Sequence, residues 1–100
     1  MDLRRYYILL ALARGPLHGV GIHDQIQQDS RSTVYLRHSS LYYLLSTLEK
    51  GHIIESAGEA PGLGGIRKLY RLTETGYRIL KAEAYALAEV GRLGLQRLPY

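Results

Sequence analysis

Between Arg37 and Ile54 the chain reads RHSSLYYLLSTLEKGHII, and this stretch limits the fold more than any other. Leu41, Leu44, Leu45 and Leu48 recur at the spacing of one helical face, which must be buried against other elements. Ser39 or Ser40 stands where an N-cap belongs, and Gly51 where a C′ residue belongs. The opposite face carries Ser40, Tyr43, Ser46, Thr47 and Lys50, with Tyr42 at its edge. Its only acid is Glu49. Such a face is hydroxyl-rich, aromatic and neutral to basic. It suits a recognition helix whose leucines hold it to a small core while its outer side lies in a DNA groove.

The distribution of charge agrees with that reading. The chain has 100 residues, enough for one domain with a modest core, and a formal net charge of +4. Residues 31–71 hold six basic groups (Arg31, Arg37, Lys50, Arg67, Lys68, Arg71) against Glu49, Glu55 and Glu59. Residues 1–30 balance at zero, so most of the excess lies around the proposed recognition helix and the segment after it. There is no cysteine, hence no disulfide framework, thiolate nucleophile or thiolate metal site. No signal-like or membrane-length apolar run is present, so no membrane partner is expected and the expected location is cytoplasmic.

Along the chain, DLRRYYILLALA (Asp2–Ala13) predicts a first helix capped by Asp2, with Ile8, Leu9 and Leu12 on one side. Gly15-Pro16 ends it. Leu17–Gln28 predicts a second helix, in which Gly19 and Gly21 suggest close approach of another backbone. These glycines do not make a dinucleotide loop, because position 24 of the GxGxxG pattern is Asp and no strand is expected before it. Thr33–Leu36 reads as a single short strand. Ile53–Glu59 and Arg67–Leu72 read as two strands joined by the Gly/Pro-rich APGLGGI, a hairpin with Arg67 and Lys68 at the exit of its tip. A hairpin directly after a recognition helix is the wing of a winged helix-turn-helix. Thr73 then caps a last helix running toward Leu98. Its residues Tyr77, Leu80, Ala84, Leu87, Gly91, Gly94 and Leu98 follow a three-four spacing suited to a partner helix.

Three segments, in this order, are similar to the PadR-like family of winged-helix transcription regulators: ILLALARGPLHG (Ile8–Gly19), SSLYYLLSTLEKGHI (Ser39–Ile53) and RKLYRLTETG (Arg67–Gly76). The resemblance covers roughly residues 3 to 85. It implies a mostly α fold with a small β-hairpin wing. Residues 1–73 would form the winged helix-turn-helix and 74–100 a C-terminal dimerisation helix, in one compact unit. It implies a homodimer on double-stranded DNA with two-fold symmetry, usually acting as a repressor. In some members a phenolic acid or a lipophilic drug releases the DNA, so a small aromatic or lipophilic effector is a further partner to consider. Carried onto this chain, the DNA-binding positions are His38, Ser39, Ser40, Tyr42, Tyr43, Ser46, Thr47, Lys50, Gly64, Gly65, Arg67 and Lys68. The dimerisation positions are Tyr6, Tyr7, Tyr77, Leu80, Ala84, Leu87, Gly91 and Leu98.

Catalysis is not expected. His18, His23, His38 and His52 form no HxxxH or HExxH spacing, and no paired carboxylates emerge. No cofactor and no metal site are expected, and His18 is read as satisfying a turn. The competing function is a winged-helix protein-interaction or dimerisation module that does not touch DNA. Salt dependence separates the two, because phosphate contacts release counterions.

Overall fold

A computed structural model describes residues 2–100 and gives the order α1 (Leu3–Leu12), β1 (Leu17–His18), α2 (Gly19–Asp29), α3 (His38–Lys50), β2 (Ile54–Gly62), β3 (Gly65–Leu72) and α4 (Glu74–Arg97). The three strands form one antiparallel sheet in the order β1-β3-β2. Four helices and a small wing make a winged helix-turn-helix.

The core forms where the apolar faces converge. Ile8, Leu9 and Leu12 of α1, Ile22 and Ile26 of α2, Leu41, Leu45 and Leu48 of α3, and Ile54, Tyr70 and Leu72 of the hairpin are all buried. Three of the four leucines that the helical spacing selects on α3, Leu41, Leu45 and Leu48, are buried, and Leu44 lies half-buried beside them. Asp2 caps α1 by accepting from the Arg4 N–H at 3.0 Å, and Thr73 caps α4 by accepting from the Gly76 N–H at 3.0 Å.

Local chemistry moves several boundaries. The second helix begins at Gly19, not Leu17. Leu17 and His18 instead pair with Tyr70 and Leu69 as an edge strand, so a strand does precede α2. Because that pairing is antiparallel and no crossover follows, it builds no dinucleotide loop. His18 is the N-cap of α2, its Nδ1 accepting from the Gly21 N–H at 3.1 Å. Thr33–Leu36 forms no strand. It follows a turn in which Ser30, itself buried, accepts the Val34 N–H on its hydroxyl and the Thr33 N–H on its carbonyl. Neither Ser39 nor Ser40 caps α3. The N-cap is Arg37, with no side-chain hydrogen bond, and both serines lie in the first turn.

The end of α3 carries a further difference. The left-handed position is His52 at φ 58°, while Gly51 keeps φ −81°. The His52 N–H donates to the Glu49 carbonyl and the Ile53 N–H to the Leu48 carbonyl, which is a Schellman motif with a histidine in the glycine place. His52→Gly is therefore expected to stabilise the fold by about 0.5–1 kcal/mol, since it removes the left-handed penalty at some cost in unfolded-state entropy. Thermal unfolding checks this, with Tm expected to rise by roughly 2–6 °C.

The fourth helix joins the body through the Arg5–Glu83 ion pair from α1 and through Leu80. Leu80, expected in the partner seam, is buried in the core of its own chain. Past Leu87 the helix leaves the body. Val90, Leu95 and Leu98 are exposed, and nothing lies within 4 Å of a Cβ built on Gly91 or Gly94. No described helix is long and apolar enough to cross a membrane.

Candidate nucleic-acid interface

The outer face of α3 is open along its length. Tyr43 is 72% exposed, and Ser39, Ser46, Thr47 and Lys50 are exposed around it. The missing side-chain cap leaves the first N–H groups of the helix unpaired by side chains, on the end where the helix dipole favours negative charge. Two residues of this face are committed inside the protein. The Thr47 hydroxyl donates to the Tyr43 carbonyl at 3.0 Å, so what it offers outward is its methyl group and an acceptor. Tyr42 leans back over Gly19, and a Cβ at Gly19 would fall on the Tyr42 ring and hydroxyl. The close approach signalled by that glycine is thus made by a tyrosine side chain, not by a backbone. It docks the recognition helix on the start of α2.

A second joint fixes the beginning of α3. The His38 ring stacks on His23 with centroids 4.4 Å apart and planes 19° from parallel. His23 Nε2 lies 3.1 Å from the Leu36 carbonyl, and Tyr35 meets the His23 ring edge-on at 6.2 Å. His38 remains exposed, so it sits at the rim of the face while anchoring it.

The wing turns through Leu63 and Gly64 alone, tighter than the seven-residue loop the sequence suggests. Gly64 and Gly65 have φ of 88° and 123°, which only glycine adopts without strain. A bulge between Ser56 and Glu59, with Gly58 at φ 94°, bends the outer half of β2. The two cations nearest the wing tip are engaged by the protein. Arg67 folds back across Gly62, and its guanidinium donates to the Leu63 carbonyl at 2.7 Å. Lys68 donates to both oxygens of Glu49 at 2.8 and 2.9 Å, with its ammonium 5.2 Å from the Tyr70 ring centroid. A cleft of about 350 Å³ between wing and recognition helix is lined by His18, Tyr42, Arg67, Lys68 and Tyr70.

These contacts move protons. The hydrogen bond to Glu49 holds the Lys68 ammonium above its ordinary value, and burial pushes the Tyr70 hydroxyl up against the pull of Lys68. Both groups keep their protons to higher pH in the folded chain than in the unfolded one. Their contribution is complete below the ordinary tyrosine value of 10.0 and is lost as pH rises through the raised values. Urea midpoints are expected to hold up to that point and fall beyond it, and Tyr70→Phe should flatten the fall. An unchanged decline in the Phe variant would contradict this.

Other basic and apolar side chains stand free outside the positions the sequence singled out. Arg4, Arg31, Arg37 and Lys50 make no ion pair among the described residues, and only Lys50 was expected in the site. Arg4 shares a shallow cleft with Ser39, Ser40, Tyr43 and Leu44. Leu63 is 91% exposed at the wing tip and Ile66 is 74% exposed beside it. The clustering of positive charge in residues 31–71 was the signal for Arg31 and Arg37. Nothing local in the sequence marks Arg4, because its relation to α3 is tertiary.

The model of the transcriptional regulator PadR-like family matches residues 8–82. The chain belongs to the PadR-like family. Members of that family are transcriptional regulators, not enzymes. Bacillus subtilis PadR, solved in complex with operator DNA, aligns with a TM-score of 0.74 and 26% identity over 84% of this chain and 46% of its own length. A PadR family regulator from Clostridium difficile aligns with a TM-score of 0.79 and 24% identity over 95% and 97% of the two chains, a likeness of fold. A 37.1 kDa protein of a Streptomyces fradiae transposon is 34% identical over 93 residues, which are 92% of this chain and 25% of that protein. This PadR-like chain thus spans a quarter of that curated relative and under half of the operator-bound one.

Proposed function

We propose that the chain is a sequence-specific DNA-binding regulator that acts as a homodimer on a two-fold symmetric operator, in the manner of a repressor. The observation that carries this reading is its likeness, in both sequence and fold, to the operator-bound Bacillus subtilis PadR. The open, acid-poor face of α3 supports it. Residues 1–73 meet DNA and residues 74–100 pair two copies. Phosphates are met by Arg4, Arg37 and Lys50 and by the free N–H groups at the start of α3, with the Gly64-Gly65 tip close to the backbone. Tyr43 and Ser46 meet base edges, and the Thr47 methyl and Tyr43 ring pack on thymine methyls. No Arg or Asn lies in Ser39–Glu49 to grip one base pair bidentately. Specificity is therefore spread over several weak contacts and over DNA shape. A small aromatic effector would enter at the dimer interface, where Tyr6 and Tyr7 meet edge-on 6.1 Å apart, beside the partner's α4.

Tyr43→Ala and Ser46→Ala, each assayed on a selected operator and on random duplex DNA, test the assignment of the groove. The expected loss is about 1–3 kcal/mol on the operator, with little change on random DNA. Equal losses on both would make α3 a phosphate clamp. Binding that ignores salt would favour a protein-interaction module instead.

A further inference from the structure

Glu49 is the only acid on α3, and among the described residues its pair with Lys68 is the one ion pair that joins the recognition helix to the wing. The pair is bidentate at 2.8 and 2.9 Å, yet the side chains remain 34% and 45% exposed. A phosphate can therefore reach Lys68, but it meets an ammonium already neutralised by a carboxylate. On the DNA reading proposed above, we infer that Glu49 competes with the DNA backbone for Lys68. The wing binds by exchanging one anion for another, and Glu49 thereby sets the affinity.

Glu49 could be needed to hold Lys68 in place. Against that, the β-ladder register opposite Glu59 fixes the Lys68 backbone, and the Tyr70 ring, 5.2 Å from the ammonium, holds its head without the carboxylate. Removing the carboxylate therefore leaves the cation where it is and frees it. Glu49 could also act only as a bare negative charge near DNA. That effect would not depend on Lys68, which makes the two separable in a double-mutant cycle.

The experiment uses the full chain with Glu49→Gln, Lys68→Met and both together. Binding to the selected operator and to a random duplex is measured across a salt series. Glu49→Gln keeps the size and hydrogen-bonding ability of a half-exposed side chain, and its fold is checked by circular dichroism. The expected result is tighter binding of E49Q to both DNAs by about two- to fivefold, in line with the modest strength of a pair this open to water. The gain should vanish in the Lys68→Met background. Lys68→Met alone should lower the salt slope by about 0.9, the counterions released at one phosphate. An undiminished gain in the Lys68→Met background overturns the exchange in favour of a bare charge. No gain, or a loss, overturns it in favour of a bracing role. If the unaltered chain binds neither DNA at any salt, the DNA reading itself falls, a result distinct from the others.

Discussion

Gly76→Ala is expected to destabilise the protein by about 1–3 kcal/mol, although it places a better helix former in α4. A Cβ at this position would overlap the carbonyl oxygen of Ile53, a backbone atom. That oxygen cannot turn aside. It accepts the Thr73 N–H at 3.1 Å and the Thr73 hydroxyl at 3.0 Å, and the same hydroxyl reaches the His52 carbonyl at 2.7 Å. The start of α4 is thus clamped onto the turn that leaves the recognition helix. The roughly 1 kcal/mol of helix propensity gained is outweighed by moving packed backbone. Urea denaturation checks this, with Gly91→Ala as the control. Gly91 has nothing within 4 Å of a built Cβ, so the same substitution there should not destabilise the single chain.

Removal of Glu89–Tyr100 is expected to give a folded monomer whose affinity for a two-half-site operator falls by about a hundredfold or more, while binding to one half-site is little changed. The truncation leaves every core residue in place, since the last of them is Leu80. It removes Val90, Leu95 and Leu98, which nothing in the chain covers. A helix of 24 residues reaches about 36 Å, and the molecule is 54 Å in its longest dimension. Two glycines in a free-standing helical end cost about 1 kcal/mol each, so a partner surface along this end would stabilise it. Sedimentation of the truncated and full chains checks the assembly. A truncated chain that still sediments as a dimer would place the interface elsewhere.

The sequence revealed what depends on short-range pattern. The leucines of α3, the Asp2 and Thr73 caps and the hairpin all follow from spacing and from local hydrogen bonding. Features that depend on distant partners were hidden. Leu17–His18 became a strand because Leu69 and Tyr70 of β3 lie alongside, which propensity over two residues cannot reveal. Thr33–Leu36 is β-branched and aromatic but has no strand to pair with, and a turn on Ser30 claims its first residues. Glycine favours the left-handed place that closes a helix, and Gly51 fits it by type, yet the Ile53 N–H bonds the Leu48 carbonyl, and that register puts His52 there. The exposed side of α3 was legible from the spacing of its leucines, which leaves Tyr43, Ser46, Thr47 and Lys50 facing outward. The engagement of Arg67 by the Leu63 carbonyl and of Lys68 by Glu49 of α3 was not, because a charge in a sequence does not disclose its partner. Leu80 fell on the three-four seam, but the narrow stripe of α4 turns from its own core toward solvent along the helix.

DNA recognition by this chain is tested by selecting bound sequences from random duplex DNA with the purified protein and then titrating salt on the winners. The expected result is an enriched inverted repeat with half-sites about one helical turn apart, roughly 34–36 Å, and affinity that falls steeply as salt rises. Recovery of no sequence above the starting pool, with binding that is weak and indifferent to salt, would contradict it.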